Sequence, residues 1–241
     1  MKLFIWFFKC FSTIISACTT LKFYYIRKKH ISRVKSFRKI KHYVEKISDK
    51  LDIEYRISGL DNLPVEESYL LCANHLSLLD PFVFFKIFND PISFVSKIEV
   101  KKMPVIKDVM GLIDGYYLER GNLKQEIKVM HSIKNDMLKK NIKYIIFPEG
   151  TRSKNLNGQM NEFKPGAFKY TMSIGKKIVP VCLYGTQKIF DKKCNDKKYF
   201  IDICILDPIT NEQYKNMSSV ELSSLIQNRI QDQLNKILIN H

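Results

Sequence analysis

The sequence predicts an α/β domain, a sheet covered by helices, preceded by an N-terminal helical segment that lies in a membrane interface. Three observations lead there. Short apolar runs alternate with longer stretches whose apolar residues recur at helical spacing. The net charge of +16 gathers at one end, where the first fifty residues carry thirteen Lys or Arg against Glu45 and Asp49. That basic end is interleaved with aromatic and aliphatic residues, as in MKLFIWFFKCFSTIISACTTLKFYYIRKKH.

At 241 residues, with 45% hydrophobic and 27% charged, the chain suits one sizeable core and excludes wholesale disorder. A nucleic-acid-binding domain would spread its basic stripe over the folded body, so no nucleic acid is expected. Cations mixed with aromatics suit a surface of anionic membrane lipids instead. Spanning a bilayer takes about 20 apolar residues, whereas Lys9 and Lys22 bracket twelve. Lys2 before an apolar stretch also fits a signal peptide, and Ile15-Ser16-Ala17-Cys18 resembles a lipoprotein cleavage box. Lys9 interrupts that apolar core, however, and the flank after Cys18 is apolar and basic rather than a polar linker. An interfacial anchor over 1–50 is the expectation, with the domain following over 51–241. Within 31–48, Val34, Phe37, Ile40 or Lys41, Val44 and Ile47 fall at helical spacing. The six cysteines are scattered without a C-x-x-C pair, which is neither a zinc framework nor a disulfide scaffold and suits a reducing compartment.

From 51 onward the elements follow in order. Residues 53–57 alternate as a strand, and SGLDNLP turns the chain. Residues 69–73 form a short buried strand ending at Asn74-His75. Residues 124–140 repeat apolar side chains at Ile127, Met130, Ile133 or Lys134, and Met137, a helix that Asn141 stops. Residues 142–147 form the clearest buried strand, ending in PEGTRS. Residues 166–174 make a short helix closed by Gly175, and 178–183 and 199–206 are further strands. Ser218-Ser219-Val220-Glu221 is a capping box for a helix with Leu222, Leu225, Ile226, Ile230, Leu234 and Ile237 on one face.

Ligands collect beyond the carboxyl ends of strands in such sheets, and two clusters fall there. The first is Asn74-His75 with Asp80 five residues after the histidine. His30 and His42 lie in the basic segment, His131 on a helix and His241 at the terminus, which leaves His75 as the one histidine placed for a site. Taken alone, a histidine after a strand is more often structural than catalytic, and its contact with Asp80 requires a turn, since i, i+5 residues do not share a helix face. The second cluster, FPEGTRSKNLNG, combines glycines with hydroxyl and cationic groups. Its N–H groups and the fork of Arg152 suit a phosphate, although such a loop is also an ordinary solvated turn. GYYLERG adds Arg120, and arginine is scarce here, seven against thirty-three lysines. The absence of Walker A, G-x-G-x-x-G, H-E-x-x-H and G-x-S-x-G patterns argues against nucleotide, zinc-protease and serine-hydrolase chemistry.

Taken in order, Asn74-His75-x4-Asp80, Arg120 in YYLERG, FPEGTRS at 147–153 and IVPV at 178–181 resemble the four blocks of the glycerolipid acyltransferases. Among these the sequence is similar to the 1-acylglycerol-3-phosphate O-acyltransferases, also called lysophosphatidic acid acyltransferases. The likeness runs from about 59 to about 184, and Lys164-Pro165-Gly166 matches a further Lys-x-Gly element. Glu119 before Arg120 departs from the more usual Asp and keeps the charge. The resemblance implies a single acyltransferase domain with a mixed sheet flanked by helices, N-terminal helices in the membrane interface, and no cofactor or metal. It implies acyl transfer from acyl-CoA or acyl carrier protein to lysophosphatidate at the cytoplasmic face of the membrane. His75 is then the general base and Asp80 its tautomer-fixing partner. Asn74, Arg120, Glu149, Gly150, Thr151, Arg152 and Lys164 form the substrate site. Arg120 and Arg152 clamp the phosphate, Asn74 shapes the turn, and Glu149 takes a glycerol hydroxyl or orients Arg152 or Lys164. Val179-Pro180-Val181 is either the acyl-chain side or plain core strand. Two alternatives stand beside this reading: the same fold acting on another lysophospholipid or lyso-aminolipid, and a non-catalytic basic protein of membrane surfaces.

Overall fold

The side chains of the central strands alternate between two apolar layers, and this divides the core. The computed structural model describes residues 2–65, 67–119, 121–153, 159–191, 194 and 198–239. Seven strands, β1 (Ile53–Ser58), β2 (Leu70–Ala73), β3 (Ile92–Lys97), β4 (Tyr116–Leu118), β5 (Lys143–Ile146), β6 (Ile178–Tyr184) and β7 (Tyr199–Ile205), form one sheet in the order β1-β7-β6-β2-β5-β3-β4. From β6 to β4 all neighbours are parallel; β7 runs antiparallel to β6, and β1 pairs parallel with β7. The sheet is therefore mixed. Leu71, Ala73, Ile145, Val179, Val181 and Leu183 point to one layer, and Leu70, Cys72, Tyr144, Ile146, Ile178 and Cys182 to the other. Burial on both faces is why these strands read as continuous apolar runs. Pro180 sits inside β6 at little cost, because its missing N–H would face Leu206, just past the end of β7.

Helices α1 (Lys2–Ile26), α2 (Arg33–Lys50), α3 (Asp80–Ile87) and α4 (Pro104–Leu112) cover the first layer. The second is covered by α5 (Leu123–Lys140), the single turns α6 (Lys169–Met172) and α7 (Asn211–Tyr214), and α8 (Ser219–Ile239). Asn141 ends α5 in the left-handed conformation with φ 52°. The capping box of α8 is formed, with the Ser218 N–H donating to Glu221 Oε2 at 2.7 Å and the Glu221 N–H to Ser218 Oγ at 3.2 Å. Asp136 on α5 accepts from the hydroxyls of Tyr116 and Tyr144, each at 2.9 Å, and pairs with Lys140 at 2.8 Å, tying the helix to β4 and β5.

The helix expected over 166–174 is broken in two: a 3₁₀ turn at Pro165–Ala167, then α6, with the buried Phe168 between them. The sequence reading assigned nothing to α3, β3 or α4. Helix α3 is apolar apart from Asp80 and Lys86, with Val83, Phe84 and Phe85 buried against α2 and the sheet, so no clear period marks it.

The N-terminal helices are a layer of this core. Cys10, Thr13, Ala17 and Leu21 form a buried stripe along α1, against α2 and α4. The Tyr25 ring lies on Gly111, where a Cβ would come within 2.2 Å of it. Lys28 donates to the Gly111 carbonyl at 3.1 Å, Arg33 to the Ile113 carbonyl at 3.2 Å, and Lys41 to the Phe88 carbonyl at 3.1 Å. These cations meet the C-terminal ends of α4 and α3, where helix carbonyls lack partners and the dipole is negative. Lys22 pairs with the buried Asp108 at 3.7 Å. Lys22 and Lys28 thus face the fold, whereas the charge pattern alone would set the whole basic run against lipid. The opposite stripe of α1, with Phe8, Phe11, Ile15, Phe23 and Ile26, is exposed. Among the described residues no helix is long and apolar enough to cross a membrane.

Candidate active site

Because β2, β5 and β6 run parallel, the loops that leave them meet at one edge of the sheet. After β2, Asn74 is fully buried, with its amide turned to the backbone of β6. Its side chain donates to the Leu183 carbonyl at 2.8 Å and accepts from the Leu183 N–H at 2.7 Å, so it extends the β2–β6 ladder by one rung and fixes where the chain leaves the sheet.

His75 and Asp80 meet. Nδ1 of His75 lies 2.7 Å from Oδ2 of Asp80, which also accepts from the N–H groups of Leu76 at 2.6 Å and Ser77 at 2.8 Å. The turn that the spacing required is this one: Asp80, at the first position of α3, folds back onto the backbone of the preceding residues. An acceptor-only carboxylate at that position assigns the proton to Nδ1 and leaves Nε2 with a lone pair. Oδ1 accepts from the hydroxyl of Thr186, in the loop after β6. Asp80 is fully buried, while the His75 side chain retains 18% exposure. The imidazole stacks on Phe147 with centroids 4.4 Å apart.

The loop after β5 clamps this histidine from both sides of its backbone. Oε1 of Glu149 accepts from the His75 N–H at 2.6 Å, and the Ser153 N–H donates to the His75 carbonyl at 2.8 Å. The other oxygen of Glu149 accepts from the Asn161 N–H at 2.8 Å. Glu149 thus ties two loops together with both oxygens on backbone donors, where the sequence reading had it on a glycerol hydroxyl or orienting Arg152 or Lys164. Burial pushes its carboxyl up from the ordinary value, and the two backbone donors oppose that only in part. Gly150 and Thr151 lie in the same turn, Arg152 is exposed, and the exposed Lys164 joins the loop through its N–H to the Pro148 carbonyl at 3.0 Å. Arg120 lies outside the described residues.

Other nucleophiles fit poorly. Ser77 is buried, and its hydroxyl accepts from the Leu79 N–H at 3.2 Å, a turn role. Burial pushes the Cys72 and Cys182 thiols up, which leaves them unreactive. Among the described residues no group of three His, Cys, Asp or Glu is arranged to hold a metal ion. The arrangement is a histidine whose Nδ1 is held by Asp80 and whose Nε2 has no hydrogen-bond partner among the described residues, beside a loop carrying cations. Sequence reasoning missed Thr186, Phe147 and Asn161. For Thr186 the available signal was a Gly-Thr pair directly after a buried strand.

Comparison with known proteins gives a consistent picture. The family model described as Acyltransferase matches residues 54–184. A chloroplastic 1-acyl-sn-glycerol-3-phosphate acyltransferase of Arabidopsis thaliana is 31% identical over 157 residues, 63% of this chain and 43% of that one. The 1-acyl-sn-glycerol-3-phosphate acyltransferase of Borreliella burgdorferi is 26% identical over 195 residues, covering 78% of this chain and 74% of the relative. The crystal structure of the 1-acyl-sn-glycerophosphate acyltransferase of Thermotoga maritima superposes with a TM-score of 0.77 at 18% identity, over 98% of this chain and 96% of that one. The last likeness shows the fold.

Proposed function

Because the chain belongs to the acyltransferase family, we propose that it moves an acyl group from an acyl thioester, acyl-CoA or acyl carrier protein, to the free hydroxyl of 1-acylglycerol-3-phosphate, giving phosphatidic acid. The observation that carries the reading is the 2.7 Å contact between His75 Nδ1 and Asp80, which leaves Nε2 free to accept a proton. In this reading Nε2 takes the proton of the lysolipid hydroxyl as its oxygen attacks the thioester carbonyl. Asp80 stabilises the imidazolium that forms. The tetrahedral intermediate expels the thiolate, which recovers the proton from His75. No acyl-enzyme is required, since the donor is activated and the acceptor is held in place. Arg152, with Arg120 and Lys164, supplies the cations for the phosphate.

The substrate is a lipid, so the site belongs at a membrane surface. The exposed stripe of α1, Phe8, Phe11, Ile15, Phe23 and Ile26, would enter the acyl boundary. Arg27, Lys29, Lys35, Arg38 and Lys39 would lie near anionic headgroups, each worth roughly 1 kcal/mol close to the surface. The donor then reaches the enzyme from the cytoplasmic side.

The test is thiol release from acyl-CoA by the purified protein over a panel of lysolipids. Release that depends on lysophosphatidate supports the reading. Release dependent on another lysolipid moves the substrate, and no acceptor-dependent release overturns the activity.

A further inference from the structure

We infer that Thr186 is a positioning residue for the His75–Asp80 pair, acting through the one carboxylate oxygen that the pair itself does not use. The inference rests on the reading of His75 as the base. Oδ2 of Asp80 is fully engaged by His75 Nδ1 and the Leu76 and Ser77 N–H groups. Those three bonds fix one oxygen and leave the carboxylate free to swing about it. The second oxygen is held by the Thr186 hydroxyl at 2.5 Å, 106 residues further along the chain. Both residues are fully buried, so no water replaces that donor if it is lost.

The backbone around Thr186 is shaped for this contact. Gly185 has φ +100°, and a Cβ there would sit 2.1 Å from the Phe200 carbonyl oxygen on β7. Only glycine lets the chain turn so sharply against that strand. The turn brings the next residue back under the end of β2, where Asp80 lies. Two residues before Gly185, Leu183 carries the rung bonded to Asn74. The two ends of the His75–Asp80 loop are therefore referenced to one short piece of chain, at Asn74 through Leu183 and at Asp80 through Thr186. With the carboxylate plane set from both sides, the imidazole is aimed and Nε2 has one direction to face. A general base loses rate steeply with small errors of aim.

The experiment compares Thr186→Val, Thr186→Ser and His75→Ala in acceptor-dependent thiol release, alongside the histidine Nδ1–H resonance of the folded protein. Val replaces the hydroxyl by a methyl of similar size, and Ser keeps the hydroxyl. Expected are a fall of about 10- to 10²-fold in kcat for T186V, KM for both substrates within about twofold, recovery of most activity in T186S, and a shifted Nδ1–H resonance in T186V. Normal kcat in T186V with an inactive H75A overturns the role of Thr186 and leaves the base intact. Normal turnover in H75A overturns the base itself. A loss in T186V that follows the folded fraction, or that T186S does not restore, makes Thr186 structural and overturns the inference. Where T186V does not fold, Thr186→Cys, near-isosteric with T186S but with only a weak S–H donor, decides: kcat must fall below that of T186S, and equal values overturn the inference.

Discussion

Exchanging Asp80 for Asn separates two things a carboxylate does for a histidine, orientation and charge, because the surroundings dictate which way the amide faces. Placed at the Oδ2 position, an amide nitrogen would meet three donors: the N–H groups of Leu76 and Ser77, at 2.6 and 2.8 Å, and His75 Nδ1–H. Placed at the Oδ1 position it meets the Thr186 hydroxyl, which can rotate to accept. The amide oxygen therefore stays toward His75, and the Nδ1–H tautomer survives. In the serine-protease triad the same exchange gives the wrong tautomer and costs about 10⁴-fold, and the sequence alone would predict that outcome here. The remaining loss is electrostatic. Replacing a charged by a neutral acceptor costs about 1.5 kcal/mol. Two unit charges about 4 Å apart at an effective dielectric of about 20 interact by about 4 kcal/mol, which is the ceiling. Between these limits D80N should lower kcat roughly 10- to 10³-fold, with KM little changed. Thiol release gives the rate, and nitrogen-15 spectra of the histidine ring give the tautomer. A loss near 10⁴-fold with the proton moved to Nε2 would refute the orientation argument, and turnover within about threefold of the parent would refute the charge argument.

His75→Ala should fold and lose about 10²- to 10⁴-fold in turnover, and incubation with labelled acyl-CoA alone should leave no label on Ser77, whose hydroxyl is buried and accepts from the Leu79 N–H; a labelled Ser77 establishes a two-step route instead. Arg152→Lys should raise KM for the lysophospholipid and leave that for the thioester nearly unchanged, because a point charge replaces a fork; equal losses toward both would indicate a folding role. Burial pushes the Asp136 carboxyl up, but Lys140 and the Tyr116 and Tyr144 hydroxyls outweigh it and set the net direction down. Its contribution is therefore present above the unfolded value of about 3.9 and fades as pH falls through the lower folded value; Asp136→Asn should cost about 1–3 kcal/mol at neutral pH and flatten this acid limb in urea melts, and an unchanged limb counts against it. Gly111→Ala should lower stability by about 1–3 kcal/mol through the Tyr25 ring, read as a lower Tm, and an unaltered Tm would show that the ring moves aside freely.

The parts of the fold legible in the sequence are those whose partners are local or periodic. The strand ending at Ala73 shows as a continuous apolar run although its ladder partners on β5 and β6 are distant, the capping box at Ser218 depends on a neighbour three residues away, and both stand close to where the pattern puts them. His75 and Asp80 were legible as a pair for the same reason, five residues apart with a turn between. Glu149 was not, since its partners are backbone N–H groups 74 residues back and 12 residues ahead, and no side-chain type signals a bond to another loop's backbone. Helix α3 was illegible because its eight residues carry only Asp80 and Lys86 as charges, too few to draw a polar face and set the period. Thr186 reads as an ordinary turn residue until the strand order brings β6 beside β2.

The basic N-terminus shows how a reading from composition leaves out half of what a charge does. A run of cations among aromatics points outward, to anionic lipid. Yet Lys41 of α2 holds the C-terminal carbonyls of α3, and the Phe37 ring lies 5.1 Å from that of Phe85 on the same helix. Helix α3 begins with Asp80. The packing therefore crosses the change of composition near residue 50, and the helix that supplies the carboxylate is held at its far end by the segment expected to meet the membrane. Removing residues 1–30 would strip the buried stripe of α1 from α2 and α4 as well as the exposed aromatic stripe from the surface. A loss of activity in that truncation on detergent-dispersed substrate, where no bilayer is involved, measures the first effect, and any additional loss on vesicles measures the second.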